Sequence, residues 1–459
     1  MEGKQLKAVM GLLFVGVLMA ALDLAIIGPA LPAMQADFGM NTRQLAWLFN
    51  VYVLFQIIGS PLLAKLSDRY GRRAIYVWSV SGFAIGSLLL VLAPNVEVLL
   101  VGRSIQGFGA AGIFPVAAAV IGDYFPPGKR GGALGMLGAV FGIAFLIGPI
   151  LGGILLQFSW EWLFLINLPI AAVLILVAIR LLPGAGSDEH LPFDWGGGIT
   201  LSLALAALAV AITNFDSANM ATSSSSLEVW PFLLAFAIIL PFFWRIEKTA
   251  ADPIVRPSFF EARQIRITAV IALGVGSTES GQVFLPALAV ATMGIADSTA
   301  AWLLLPGVLA TTICAPLIGM LVDRVGTRLI IIAGLLLVFV GLAIYGLVPM
   351  SFTTFIAAGI IAGVGFAGLL GAPLRMILLN EARAEDRAAT QGLLNVFLAM
   401  GQLMGAAIVG GVAESRGGGG AGYQTAFVVV ACITAVLIAF ALALKNRQAE
   451  WTSATAAGE

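Results

Sequence analysis

The sequence predicts an all-α polytopic membrane protein of fourteen transmembrane helices, arranged as two related six-helix halves with two further helices inserted between them. Three observations carry this. Sixty per cent of the 459 residues are hydrophobic and only 10% are charged, a balance that would leave a soluble chain of this length covered in apolar patches. A spanning helix takes about 20 apolar residues, and fourteen such stretches are centred near residues 19, 54, 84, 109, 143, 173, 204, 238, 279, 311, 339, 364, 400 and 435. The third observation is internal repetition.

The segment from Ser60 to Arg73, containing Asp68-Arg69-Tyr70-Gly71-Arg72-Arg73, recurs from Ala315 to Arg328 as Asp323-Arg324-Val325-Gly326-Thr327-Arg328, an offset of 255. Gly107-Phe108-Gly109-Ala110-Ala111-Gly112 in span four recurs as Gly363-Val364-Gly365-Phe366-Ala367-Gly368 in span twelve, and Gly135 and Gly148 of span five match Gly392 and Gly405 of span thirteen. The repeat divides the chain into a first half at 1–183, an inserted pair with its loops at 184–262, a second half at 263–447 and a tail at 448–459. Spans seven and eight, about 194 to 213 and 230 to 247, carry no deep ionisable residue and are expected to pack peripherally, away from the cavity. Parallel repeats of this kind place a substrate site between the halves near the midplane, which is transporter architecture.

Several other readings fall away. The Gly-x-Gly-x-x-Gly pattern would mark a dinucleotide site only after a strand and before a helix; here it lies mid-span, where small residues let helices approach closely. No cofactor or metal is expected: His190 sits alone in a polar loop, and Cys314 and Cys432 lie in apolar spans as small hydrophobes. A net charge of zero gives no reason to expect a nucleic-acid partner. With no nucleophile–base pair and no soluble module, an enzyme or scaffold is the weakest alternative.

The N-terminal apolar run after Lys4 and Lys7 contains Asp23 and leads into thirteen more spans, so it reads as a retained first helix rather than a cleaved signal. With the N-terminus inside, 21 of the 24 Lys and Arg fall in cytoplasmic segments, Arg43 and Arg416 fall outside, and Arg103 lies within a span. Positive charge stays on the cytoplasmic side, so both termini are expected there, in a monomer contacting membrane lipid.

Three ionisable residues are expected deep in the bilayer: Asp23, Arg103 and Glu279. Each costs at least a few kcal/mol there and is a functional candidate for that reason. Asp23 and Glu279 are 256 residues apart, so they occupy matching places on spans one and nine. At 1.5 Å per residue Asp23 and Arg103 both lie roughly 8 to 12 Å beneath the outer surface, where they can pair. Glu279 is expected to have no basic residue in its half of the membrane, and an unpaired carboxylate there should hold a proton or a cation.

These residues together resemble the major facilitator superfamily, and within it the 14-spanner drug:proton antiporter-2 family, over nearly the whole chain. Asp68, Arg69, Gly71, Arg72 and Arg73 are similar to the signature between spans two and three, with Ala64 in place of its usual first Gly. Leu99, Arg103, Gln106 and Gly107 match the span-four signature, whose Arg is implicated in proton handling. Gly148-Pro149 with Gly152-Gly153 matches the antiporter signature of span five, with Ala144 where Gly is usual. Leu22-Asp23 and Ala30-Leu31-Pro32 resemble the family's span-one pattern, but Leu24-Ala25-Ile26-Ile27-Gly28 lacks its Thr and Asn, and Glu161 stands where many relatives carry Arg.

The resemblance implies the major facilitator fold and a proton-coupled antiporter in the bacterial cytoplasmic (inner) membrane. Its substrates would be amphipathic or cationic organic compounds exported by alternating access. A dedicated lipid or metabolite exporter is the main alternative, and an inward proton symporter a further one. Asp23, Arg103 and Glu279 are then the proton-coupling candidates. Asp68, Arg69, Gly71, Arg72 and Arg73, with Asp323, Arg324, Gly326 and Arg328, are the gating candidates. By pseudo-symmetry Asp68 should meet the start of span thirteen near Arg387, and Asp323 the start of span five near Gly131, where helix N-termini favour carboxylates. At Gly148-Pro149 a bend and close packing are expected. Asn50, Phe55 and Gln56 on span two, Phe141 and Phe145 on span five, and Gln282 on span nine are the cavity-lining candidates.

Overall fold

The computed structural model describes residues 3–40, 42–184, 193–215 and 226–448; His190 lies outside them. The spans are α1 (Gly3–Phe38), α2 (Thr42–Tyr70), α3 (Arg72–Val91), α4 (Val96–Tyr124), α5 (Arg130–Leu155), α6 (Trp162–Leu181), α7 (Trp195–Thr213) and α8 (Trp230–Thr249). They continue as α9 (Arg263–Ser280, resumed at Leu285–Met293), α10 (Leu305–Val325), α11 (Thr327–Leu347), α12 (Phe352–Glu381), α13 (Arg387–Ser415) and α14 (Gly420–Leu442). Among the described residues, thirteen of these helices are long and apolar enough to cross a membrane. The fourteenth, α9, falls short in hydropathy because it carries Arg263, Gln264, Arg266, Thr268 and the run Ser277-Thr278-Glu279-Ser280, and it is broken by the 3-10 turn Gly281–Phe284. Polar residues and a broken helix at membrane depth are tolerated where they face protein or a cavity.

Local signals set the boundaries. The Asn95 side chain accepts from the Val98 amide at 3.0 Å to start α4, and Ser351 with Thr354 forms a capping box at the start of α12. Gly71 and Gly326, matched by the repeat, sit at φ 90° and 89° between α2 and α3 and between α10 and α11. Both junctions turn through a backbone region that only glycine enters freely. α12 is interrupted at Gly371, just before Pro373.

The helices pack through small residues, as expected where lipid supplies no hydrophobic drive. A Cβ on Gly107 would lie 2.3 Å from the Tyr52 carbonyl oxygen, one on Gly109 2.3 Å from the Phe83 amide nitrogen, and one on Gly401 2.0 Å from the Leu273 carbonyl oxygen. The mid-span glycine pattern is therefore a packing device. Around Tyr76, Phe83 and Val116 the first six helices share one core, and around Tyr345, Phe355, Phe366 and Phe427 the later ones share another.

The inserted pair is not uniformly peripheral. α8 packs on α7, but α7 packs against both α2 and α13. Leu201 and Leu205 of α7 share a cluster with Ile57 of α2 and with Leu393, Val396 and Met400 of α13. α7 thus covers the seam between the halves and lines, with Asn50 and Leu403, a crevice of about 40 Å³.

Candidate functional site

Asp23 is fully buried in the first half, and the residues clustered around it come from four other helices, α2, α3, α4 and α6. Arg103 Nη1 donates to Asp23 Oδ2 at 2.6 Å, Gln106 Nε2 to Asp23 Oδ1 at 2.8 Å, and Asn167 Nδ2 to the same oxygen at 3.4 Å. The Arg103 guanidinium lies over the Tyr52 ring, 4.3 Å from its centroid, and its Nε donates to the Leu48 carbonyl at 3.1 Å. Gln106 is tied in turn to Ser87 at 2.9 Å. Arg103 and Gln106 share one face of α4 because they are three residues apart. The pair expected from the sequence is formed, yet Arg103 Nη2 and the Tyr52 hydroxyl have no hydrogen-bond partner among the described residues. Of this cluster Asn167, Tyr52 and Ser87 were not anticipated, since single uncharged side chains inside apolar runs carry no periodic signal.

Glu279 is different. It is partly exposed, and its Oε2 accepts from Gln402 Nε2 on α13 at 2.9 Å. Arg375 of α12, only 5% exposed, is a buried basic residue that the sequence reading did not place in a span; its Nη1 donates to Asn395 of α13, seven residues before the Gln402 that holds Glu279. Arg375 is thus buried six residues inside the end of α12, whereas the sequence count placed it in a cytoplasmic segment. The span centred near 364 breaks at Gly371, and beyond the break the helix runs on to Glu381.

The contacts between halves described here lie at the end of the bundle that carries both termini. Asp68 accepts from the Ala388 and Ala389 amides at the start of α13, at 3.1 and 2.8 Å, and pairs with Arg72. Arg72 Nε donates to Asp123 Oδ2 at 2.9 Å, and Arg387 of α13 pairs with Asp123 Oδ1 at 3.0 Å. The matched Asp323 accepts from the Gly131 and Gly132 amides of α5 at 3.1 and 3.3 Å. Between these caps the helices nearly touch. A Cβ on Gly135 would lie 2.5 Å from the Ala315 carbonyl oxygen, and one on Gly392 2.8 Å from that of Ser60, beside Pro316 and Pro61 inside α10 and α2. This conformation is closed at that end. Arg73 donates to the Ile179 carbonyl at 3.1 Å, and Arg69 lies over Tyr70; Arg324 and Arg328 flank Gly326 at the junction of α10 and α11.

Asp68→Asn is expected to cost this closed end about 2 kcal/mol by weakening two charge-assisted bonds and freeing Arg72. Distances between labels on the α2–α3 and α12–α13 loops should broaden while substrate affinity changes little. Unaltered distances with lost binding would remove the gating role.

A second fastening was not legible. Lys65, 3% exposed on α2, pairs with Asp252 at 2.6 Å and approaches Asp386 at 3.7 Å, while Arg256 reaches Asp386 at 3.1 Å. The segment after α8 thus straps both halves. Burial outweighs the Arg256 and Lys65 charges and pushes the Asp386 carboxyl up to about 6. A carboxyl raised in the closed form stabilises closure below its ordinary value near 4, and that contribution is lost as pH rises through about 6. Closure at this end should therefore weaken between about pH 4 and 6 by on the order of 3 kcal/mol, and Asp386→Asn should flatten that slope in label-distance measurements; an unchanged slope refutes it.

Of the remaining candidates, α5 continues through Gly148 and Pro149, and Gly148 lets α1 approach: a Cβ there would lie 2.5 Å from that of Ala25, two residues from Asp23. A Cβ on Gly153 would meet nothing within 4 Å, and Gly152 is buried. Phe141 meets Phe114 with ring centroids 5.6 Å apart and planes tilted by 33°, Phe145 is 58% exposed, Gln56 is half-buried, and Gln282 lies in the turn that breaks α9. Phe55 faces a lateral cleft of about 270 Å³ with Trp78, Ser104 and Phe108, between α2, α3 and α4, and not the space between the halves.

Fourteen spans in two small-residue-packed sets, with ionisable side chains buried in both, define a multi-pass membrane transporter. The signature described as the Major Facilitator Superfamily matches residues 13–278 and 267–458, and the chain belongs to that superfamily, whose members are transporters and not enzymes. It is 34% identical over 406 residues to the uncharacterized MFS-type transporter YfiU of Bacillus subtilis, covering 87% of this chain and 78% of YfiU. It is 30% identical to multidrug resistance protein 3 of the same organism, covering 88% and 78%. With multidrug resistance protein Stp of Mycobacterium tuberculosis it shares 28% identity over 86% and 74%. The human organic anion transporter MFSD10 has the same fold, with a TM-score of 0.72 at 16% identity over 95% of this chain and 99% of that one.

Proposed function

We propose that this chain is a proton-coupled antiporter that exports amphipathic or cationic organic compounds across a bacterial cytoplasmic membrane, with both termini cytoplasmic. The carrying observation is the Asp23–Arg103 pair, a fully buried carboxylate whose partner keeps an unmet donor. Such a carboxylate takes up a proton when its arginine moves away and gives it up when the arginine returns. Glu279, partly exposed beside Gln402, supplies a negative charge where a cation can reach it. Relatives named as multidrug resistance proteins support this substrate class. Read with the termini inside, the conformation closed at their end is the outward-open one.

Purified protein in liposomes with an internal pH dye, challenged with organic cations, neutral amphiphiles and lipids, tests the reading. Organic cations should drive proton movement in the opposite direction. Glu279→Gln should slow cations more than neutral compounds, by about tenfold, the equivalent of roughly 1.4 kcal/mol. Equal losses for both, or no proton movement with any compound, reject it.

A further inference from the structure

Where the inserted helices meet the strap, two carboxylate oxygens stand that neither the gate nor the Asp23 cluster explains. Asp194 caps α7: its Oδ1 accepts from the Gly197 amide at 2.7 Å, while its Oδ2 is buried with no hydrogen-bond partner among the described residues. Glu247, on the last turn of α8 and only 1% exposed, accepts from the Val255 amide of the strap through Oε2 at 3.0 Å. Its Oε1 is likewise buried and without a partner. Both orphan oxygens converge on Gly197: a Cβ there would lie 2.3 Å from Asp194 Oδ2 and 2.4 Å from Glu247 Oε1, so the two are no farther apart than those lengths together. The charged groups of the surrounding elements are engaged elsewhere. Lys65 of α2 is held by Asp252 and Asp386, and Arg256 by Asp386 and Glu385. Asp68 is held by α13 and Arg387 by Asp123, and Arg245 and Lys248 of α8 are exposed. Two buried anionic oxygens set together with no donor between them are costly.

We propose that Asp194 and Glu247 form a proton-binding site in the inserted helices, holding one proton between Asp194 Oδ2 and Glu247 Oε1. The proton comes from water at the closed end, forms an O–H bond on Glu247 Oε1 and is donated to Asp194 Oδ2, which leaves one negative charge on the pair. A single proton thus satisfies both orphans, and the missing side chain of Gly197 gives them room to meet. The site bears on the closed end through the strap. Val255, held by Glu247, is followed by Arg256, which reaches Asp386, and a Cβ on Gly198 would lie 2.9 Å from Leu62 of α2 and 3.0 Å from Ile254 of the strap. Loss of the proton sets two anions face to face, so the contact between α7 and the strap is kept while the proton is bound and loosens as pH rises. Binding of this proton involves neither the Asp23–Arg103 pair nor the antiporter reading.

The test uses the full chain in lipid nanodiscs with two readouts: the infrared stretch of protonated carboxyl groups, and the distance between spin labels at Ile199 on α7 and Ala251 on the strap, both exposed. At neutral pH the wild type should show a protonated-carboxyl band that is lost in Glu247→Gln and in Asp194→Asn. In each variant the new amide donates where the proton did, and Asn caps a helix as well as Asp does, so if one variant fails to fold the other carries the test. Raising the pH from about 6 to 9 should enlarge the loosened population of the wild type at least about fivefold, one proton permitting at most about tenfold per pH unit. Both amide variants should keep the short distance throughout. Asp386→Asn should leave the response in place, because its own slope lies at lower pH, and Gly197→Ala, which presses a methyl group on both oxygens, should loosen the contact at every pH. An unchanged band in the amide variants, or a pH response that persists in them, overturns the proposal. Tightening by sodium or calcium at fixed pH also overturns it, since the pair would then hold a metal ion instead. Neither readout uses substrate or proton flux, so failure of the antiporter reading leaves the outcome unaffected.

Discussion

Asp23→Asn should abolish substrate-driven proton movement for every compound carried, because the amide keeps the shape of the site but binds no proton at working pH. It also leaves the Arg103 guanidinium buried without its counter-charge, and breaking a buried pair by removing one partner costs about 3 to 5 kcal/mol. Thermal stability should therefore fall as well, and the two effects must be separated. Adding Arg103→Gln should recover most of the stability, since Gln106 and Asn167 remain to bond the amide, while transport stays uncoupled. Recovery of coupled transport in the double variant, or retention of it in Asp23→Asn, would show that the proton travels elsewhere.

The second large effect concerns the seams. Gly135→Leu would drive a side chain into the Ala315 carbonyl oxygen of α10, already 2.5 Å from the position of a first Cβ. Each half can still fold, because the obstruction lies between them. Overpacking of about 1 to 3 kcal/mol corresponds to roughly a five- to 150-fold loss of the closed conformation. Gly392→Leu, at the matching place against Ser60, should act alike. Label distances showing a terminal end as closed as in the wild type would mean that the two helices slide rather than separate.

Much of this architecture is legible from the chain. The repeat aligned Gly71 with Gly326 and Asp68 with Asp323, and both pairs turned out to share backbone conformation and capping role. Asp23 with Arg103 was legible because a charge inside an apolar run is costly and must be answered. Arg375 was not: it follows a glycine–proline break that looks like the end of a span, and the continuation to Glu381 depends on contacts with α5, α9 and α13. Lys65 and Asp386 escaped for a related reason. Charged residues near span ends ordinarily project into water, and only the strap after α8, folded back by tertiary packing, buries them. Phe55 was assigned to the cavity by its span alone, and the rotation of α2 against α3 and α4 turned it outward.

The two capping carboxylates differ in what surrounds them. Asp68 is braced by Arg72, which is braced through Asp123 to Arg387, whereas Asp323 meets α5 through its two amide bonds and lies partly open. Mobile ions screen an accessible charge far better than an enclosed one. Rising ionic strength therefore loosens the α5–α10 side first and leaves the α2–α13 side as the pivot, so that the closed end swings ajar on one edge instead of lifting evenly apart.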